Sequence, residues 1–150
     1  MRKLAGAALI VVTATAAWMT AAGGDQPQGI TRTDLGRGTV AASYTVGGDA
    51  GSDVVVQSVR IEAGADSGWH THPGPEVAIV KSGTLTFFDG DDPTCAPRTY
   101  TAGQVLVAPG HVHEGRNLGT GPVEIVVTYF NVPRGTAAAT PAARPAHCPA

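Results

Sequence analysis

At 150 residues, with ten basic against twelve acidic side chains and a formal charge of −2, the chain suits a single domain. It carries no basic patch and no interleaving of aromatic with basic residues, which speaks against nucleic acid as a partner. The slight acidic excess permits a bound cation without specifying one.

The chain opens "MRKLAGAALIVVTATAAWMTAAGGD". Arg2 and Lys3 make a positive start, Leu4 to Met19 carries no charge, and Thr20-Ala21-Ala22 offers small residues for cleavage. We expect a signal peptide over residues 1–22, cleaved near Ala22, and a secreted or extracytoplasmic mature chain starting near Gly23. The alternative is an N-terminal membrane anchor, for which the uncharged run is short and lean in Leu and Ile. No cysteine follows the run to carry a lipid, and no stable span is expected after processing. Taking Arg2 and Lys3 from the ten basic residues leaves eight against twelve acidic ones, a formal −4.

Residues 23–37 are rich in Gly, Gln and Thr and read as a flexible lead-in. Residues 38–133 are the expected folded part. Short runs rich in Val, Ile, Thr, Tyr and Phe recur there, separated by Gly, Pro and Asp, and no amphipathic helix stands out. The predicted strands are Thr39–Val46, Asp53–Glu62, Glu76–Lys81, Gly83–Asp89, Arg98–Thr101, Gln104–Ala108, His111–Asn117 and Val123–Asn131. This spacing argues for an all-β sandwich or barrel. Residues 134–150 are Ala- and Pro-rich and build no core of their own, so they read as a tail held only through Cys148. The two cysteines, Cys95 and Cys148, are an even number in an oxidising compartment and are expected to form a disulfide. Closing that loop is worth about 2–4 kcal/mol.

Four of the five histidines fall in two pairs, His70/His72 and His111/His113, and the fifth is His147. In a strand, residues i and i+2 share a face, so His70 and His72 can aim at one point while Thr71 faces away. After the Pro73-Gly74-Pro75 turn, Glu76 opens the next strand and shares a face with Ala78 and Val80. Neutral imidazoles with one carboxylate suit a divalent transition metal. The second cluster, "PGHVHEGRN", can add an imidazole from another part of the sheet. A lone His-x-His is as often a solvated pair, and most glutamates are solvated. The combination in a β-rich window favours a metal site.

The segment "GADSGWHTHPGPEVAIVKSG" resembles the first motif of the cupin superfamily: Gly, five residues, His-x-His, three residues, Glu, six residues, Gly. Gly64, His70, His72, Glu76 and Gly83 keep every spacing. Gly103, Pro109, Gly110, His113 and Asn117 resemble the second motif, with the distance from Gly103 to His113 one residue short. If Gly110 is aligned to the family glycine, Ala108 takes the usual proline position. The resemblance, to small single-domain exported cupins, implies a double-stranded β-helix (jelly-roll) barrel holding one metal ion on His70, His72, Glu76 and His113. The ion is Mn, Fe, Ni, Co, Zn or Cu. His113 is preferred because it keeps its spacing to Gly110 and Asn117. His111 is the rival, replacing or supplementing it, or else a substrate-facing residue.

Three readings of function stay open. The first is a metal-dependent enzyme, of oxidoreductase or dioxygenase type, acting on a small oxygen-bearing molecule, with no catalytic residue assigned. Ala78, Val80 and Phe87 are candidates to shape its pocket, with Tyr44, Tyr129 and Arg116 behind them. Of the adjacent Phe87 and Phe88, one is expected in the core and the other at the surface or an interface. Tyr44 and Tyr129 are expected to be packed in the barrel. Glu114 is expected to be solvated, and a solvated Arg116 is commoner than a substrate anchor. The second reading is a non-catalytic metal- or ligand-binding module. The third is a metal-free interaction platform, since "EVAIV" and "EIVVTYF" are apolar on both faces. The family resemblance admits a homodimer, and a disulfide-clamped monomer is equally compatible.

Overall fold

The computed structural model describes residues 30–150, so the expected signal peptide and the start of the lead-in lie outside the described residues. The compact unit Thr33–Ala150 carries every strand described. Among the described residues there is no helix, and so none long and apolar enough to cross a membrane.

Nine strands follow one another: β1 Asp53–Ile61, β2 His70–Thr71, β3 Glu76–Ser82, β4 Thr84–Asp89, β5 Arg98–Thr101, β6 Val105–Ala108, β7 His113–Arg116, β8 Val123–Val132 and β9 Thr140–Pro141. They make two antiparallel sheets, ordered β1-β8-β3-β6 and β5-β4-β7-β2-β9. The period-2 pattern of β8 explains the first sheet. Val123, Ile125, Val127 and Tyr129 point inward, while Glu124, Val126, Thr128 and Phe130 are only half-buried. In β3 the inward set is Glu76, Ala78 and Val80. Leu85 and Phe87 of β4 meet them from the second sheet. Each such side chain taken fully out of water contributes about 1.5–3 kcal/mol if it is Val- to Phe-sized. This is an all-β fold of two antiparallel sheets packed face to face.

Two glycines are required where segments cross. Gly83, between β3 and β4, has φ +78°, and a Cβ there would lie 2.7 Å from the Pro122 carbonyl. Gly110, at φ +93°, would bring a Cβ within 2.5 Å of the Gly74 carbonyl. Any side chain at either position would be both strained and obstructed.

The expected strand Thr39–Val46 does not form. Thr39 makes one parallel bridge to Gln104, and the chain then bends at Ala41 and Ala42. Its Val, Tyr and Thr residues favour extended backbone, but without a partner edge no ladder follows. Tyr44 is accordingly 48% exposed rather than packed in the barrel.

The C-terminal segment departs further from expectation. It is held by more than Cys148, because β9 pairs with β2 (Thr71 opposite Thr140, His70 opposite Pro141) and Ala138 is buried in the main core. The sulfurs of Cys95 and Cys148 lie at disulfide distance and form a second small core with Phe88, flanked by Trp69. Phe87 and Phe88 do face opposite ways, but both are buried, because the tail covers the outer face at Phe88. The Arg116 guanidinium lies 4.7 Å from the centre of the Phe88 ring. It also donates to a Glu114 carboxylate oxygen at 2.7 Å and to the carbonyls of Pro149 and Ala150. Glu114 is therefore a buried, paired carboxylate, and Arg116 is occupied within the fold rather than solvated or offered to a substrate.

Candidate metal centre

The two sheets bring the motif residues together from three strands. His70 of β2 lies opposite His113 of β7, with ring centroids 4.5 Å apart. His72 follows β2, and its centroid is 4.9 Å from that of His70 and 5.0 Å from that of His113. A ligand atom of each of the three imidazoles lies within 4.8 Å of the others. Glu76 projects inward from the first sheet, with Oε1 at 3.2 Å from His113 Nε2 and Oε2 at 3.4 Å from His72 Nε2. It touches two of the three imidazoles.

The outer nitrogens decide the state of the inner ones. His70 Nδ1 is 2.7 Å from the Gly68 carbonyl, His72 Nδ1 is 2.7 Å from the Ala138 carbonyl, and His113 Nδ1 is 2.7 Å from the His111 carbonyl. A carbonyl can only accept, so each Nδ1 carries the proton, and a neutral ring then turns its Nε2 lone pair inward. Burial pushes the His70 and His72 imidazoliums below their ordinary value of 6.5, against the opposing pull of the carbonyl bonds and of Glu76. At neutral pH these two rings are uncharged.

Three imidazole lone pairs therefore converge beside a buried carboxylate, acceptor facing acceptor. His72 Nε2 is sealed from solvent and has no hydrogen-bond partner. Such a group costs about 1–3 kcal/mol when left unmade. A cation at the convergence point satisfies all four residues at once. The nitrogen-to-oxygen separations of 3.2 and 3.4 Å match the edge of a coordination shell whose ligands sit about 2.1 Å from the centre, roughly 3.0–3.4 Å. The residues fit a transition metal.

His111 stands apart. Its side chain is exposed and paired with Asp91, Nδ1 to Oδ2 at 2.7 Å. The predicted strand His111–Asn117 begins only at His113, so His111 obeys no strand alternation and shares no strand face with His113. Only its carbonyl serves the site. His147 is also outside it, with Nε2 3.1 Å from the Asp92 carbonyl.

A cavity of about 70 Å³ adjoins the centre. His70, Glu76 and His113 border it, whereas His72 lies behind them. Of the expected pocket residues, Ala78, Phe87 and Tyr129 line the cavity, and Val80 is sealed in the core. The Tyr129 ring lies 4.7 Å from that of His72, and burial, then the charge of Glu76, pushes its phenol up to about 12. It stays protonated.

Two contributors were not visible in the sequence. Ser67, between the predicted strands Asp53–Glu62 and Glu76–Lys81, accepts from the Gly115 amide at 2.9 Å and so fixes β7 beside the cavity. Ala138 contributes through its carbonyl, which no residue type announces. Asn117 proves structural: buried, it donates to the Ile61 and Gly121 carbonyls and accepts from the Gly119 amide.

The Cupin domain family matches over residues 57–129, a span that contains all four converging residues and the cavity-lining Tyr129. No curated protein matches the chain. Among solved structures, the chain is similar to the DMSP lyase DddQ from Ruegeria pomeroyi DSS-3, with 23% identity and a TM-score of 0.52. That match covers 63% of this chain and 45% of the lyase, so the chain spans less than half of the lyase's length. At that identity the likeness is one of fold. A conserved protein with a double-stranded β-helix domain from Klebsiella pneumoniae subsp. pneumoniae MGH 78578 is 25% identical, covering 73% of this chain and 90% of that one, with a TM-score of 0.49. A cupin-like protein from Thermotoga maritima MSB8 is 24% identical, covering 61% and 65%, with a TM-score of 0.47. On the family match and the two-sheet β fold that carries it, the chain belongs to the cupin superfamily.

Proposed function

We propose that the protein holds one divalent transition metal on Nε2 of His70, His72 and His113 and on the Glu76 carboxylate, and that the site takes a small oxygen-bearing molecule from the adjoining cavity. The observation that carries this reading is the convergence of three Nδ1-protonated imidazoles on a buried carboxylate with no donor between them. Three neutral ligands and one carboxylate leave a divalent ion one unit of positive charge, which favours a polar or anionic oxygen donor.

When bound, the metal supplies a Lewis acid, and a redox centre where the ion is redox-active. The chain's own residues limit what can approach it. Leu85, Phe87, Leu106 and Ile125 wall the cavity with hydrocarbon and restrict water. About 70 Å³ is room for several waters, and so for a molecule of a few non-hydrogen atoms. Tyr129, held protonated, offers a hydrogen-bond donor near Glu76. The function these features support is that of a metal-dependent enzyme of oxidoreductase or dioxygenase type.

One observation favours a second reading. Apart from the metal-binding residues, Ser67 and Tyr129, the cavity lining is apolar. Ser67 is committed to the Gly115 amide and Tyr129 stays protonated, which leaves no further base. A non-catalytic metal- or ligand-binding module needs none. We also infer export of the mature chain. Its support is the character of residues 1–22 and a cysteine pair at disulfide distance, a bond that persists in oxidising compartments.

The test is metal content of untagged protein from its native compartment, beside a His70→Ala/His72→Ala variant. About one equivalent of a single metal in the parent, lost in the variant, is expected. A folded parent that refuses every candidate metal overturns the reading. Oxygen uptake or substrate conversion lost in His72→Ala separates the enzyme from the binder, which shows saturable association alone.

A further inference from the structure

Two of the three carbonyls that orient the imidazoles are local. Gly68 and His111 lie two residues before the histidines they hold. The third, that of Ala138, lies 66 residues beyond His72, in the Ala- and Pro-rich C-terminal segment. Ala138 is followed by a series of fastenings. Thr140 and Pro141 pair with β2, the Ala142 amide donates to the Trp69 carbonyl at 2.9 Å, and the Arg144 guanidinium donates to the Cys148 carbonyl. Cys148 reaches Cys95, and the Arg116 guanidinium donates to the backbone oxygens of Pro149 and Ala150. Both cysteines are buried.

We propose that the C-terminal segment is a strap that completes the metal site, and that closure of the Cys95–Cys148 bond is the step that secures the Ala138 carbonyl against His72. The inference rests on the metal-site reading above. In the thiol form the strap is fastened by a two-residue strand, by the burial of the small Ala138 side chain and by a few hydrogen bonds at the surface. His72 Nδ1 then loses its acceptor, and the ring's proton is free to occupy Nε2, the atom that must face the metal. A disulfide-bearing oxidant takes two electrons and two protons from the two thiols, its own sulfurs leaving as thiols. The clasp closes, and His72 is fixed in the metal-ready tautomer. Tight metal loading therefore follows oxidation. His72 is the positioned ligand and Ala138 the positioning residue.

The experiment compares the full-length oxidised protein with a Cys95→Ser/Cys148→Ser variant and with parent chain refolded under dithiothreitol. Long-range proton–nitrogen spectra of the metal-free histidines report which ring nitrogen is protonated, and Zn²⁺ competition reports affinity. The oxidised form is expected to show Nδ1–H on His70, His72 and His113. Opening the clasp should move His72 to mixed tautomers, leave His70 and His113 unchanged, and weaken Zn²⁺ binding about 10–100-fold. Unchanged His72 with Zn²⁺ affinity within about twofold overturns the strap. Ala142→Pro keeps the clasp while deleting the amide that ties the strap to Trp69, and should shift His72 in the same direction. It decides the matter if the serine variant also loses the His70 and His113 signals and so has unfolded. A chain whose His72 responds but which binds no Zn²⁺ in either state overturns the metal reading and leaves the strap standing.

Discussion

His70 and His113 take their anchoring carbonyls from their own segments, two residues back, whereas His72 takes its anchor from a segment 66 residues away. The electronic task is the same at all three. The cost differs, because the remote anchor requires the segment after β8 to be ordered back onto the site, at about 1–2 kcal/mol of backbone entropy for each residue fixed. One neutral hydrogen bond returns only about 1 kcal/mol. The remote anchor therefore cannot hold itself. It depends on β9, on Arg116 and on the cysteine pair, and through them the metal centre is tied to the end of the chain.

Removing a ligand should override the distinction between anchors. His113→Ala or His72→Ala deletes an inward lone pair whichever carbonyl had oriented it, and we expect metal affinity to fall beyond about 1,000-fold, or about 4 kcal/mol. Isothermal titration with Zn²⁺ or Mn²⁺ measures it. Near-parental affinity in His113→Ala would remove that residue from the ligand set.

Arg116→Ala attacks the far end of the strap. It leaves Glu114 buried without its partner and releases two C-terminal carbonyls, and urea unfolding should report a loss of about 3 kcal/mol. Arg116→Lys should recover only part, since an ammonium lacks the planar fork that serves Glu114 and stacks on Phe88. A loss below about 0.5 kcal/mol in Arg116→Ala would mean the pair behaves as a surface contact.

Acid tests a property that His70 and His72 share despite their different anchors. Burial lowers both below the ordinary 6.5, so between the folded values and 6.5 the unfolded chain binds more protons than the folded one. Metal-free stability is then full above 6.5 and declines as pH falls through that window. Metal affinity declines in the same direction, because protons and metal compete for Nε2. Unfolding midpoints from pH 8 to pH 5 should show this slope, and His70→Gln or His72→Gln should each flatten it. A slope unchanged in both variants would assign the acid sensitivity elsewhere.

The half of the site that is local in space was also the half legible in the sequence. His-x-His followed, across three residues, by Glu is readable because strand alternation and a Pro-Gly-Pro turn fix where those side chains go. The β-branched runs of β3, β6 and β8 were readable for the same reason, to within a residue or two at their ends. The strap was not. An Ala- and Pro-rich segment has no hydrophobic period, and its pairing with β2 and its hold on His72 use backbone groups that every residue possesses. Misreadings elsewhere follow from this one. Glu114 looks solvated in the sequence, and one of Phe87 and Phe88 looks bound for the surface or an interface, because what buries Phe88 and Glu114 arrives from the C-terminus.

The smallest effect is the sharpest check on the local anchors. His111 offers an exposed side chain bound only to Asp91, a pair worth about 0–0.5 kcal/mol at such exposure. Its carbonyl, by contrast, holds His113 Nδ1. His111→Ala removes the imidazole and keeps the carbonyl, so metal affinity should stay within about twofold and stability within about 0.5 kcal/mol. Substantial metal loss in this variant would make the His111 imidazole a ligand. His113 would then lose its place, and the contrast between local and remote anchoring would have to be drawn again with only His70 on its local side.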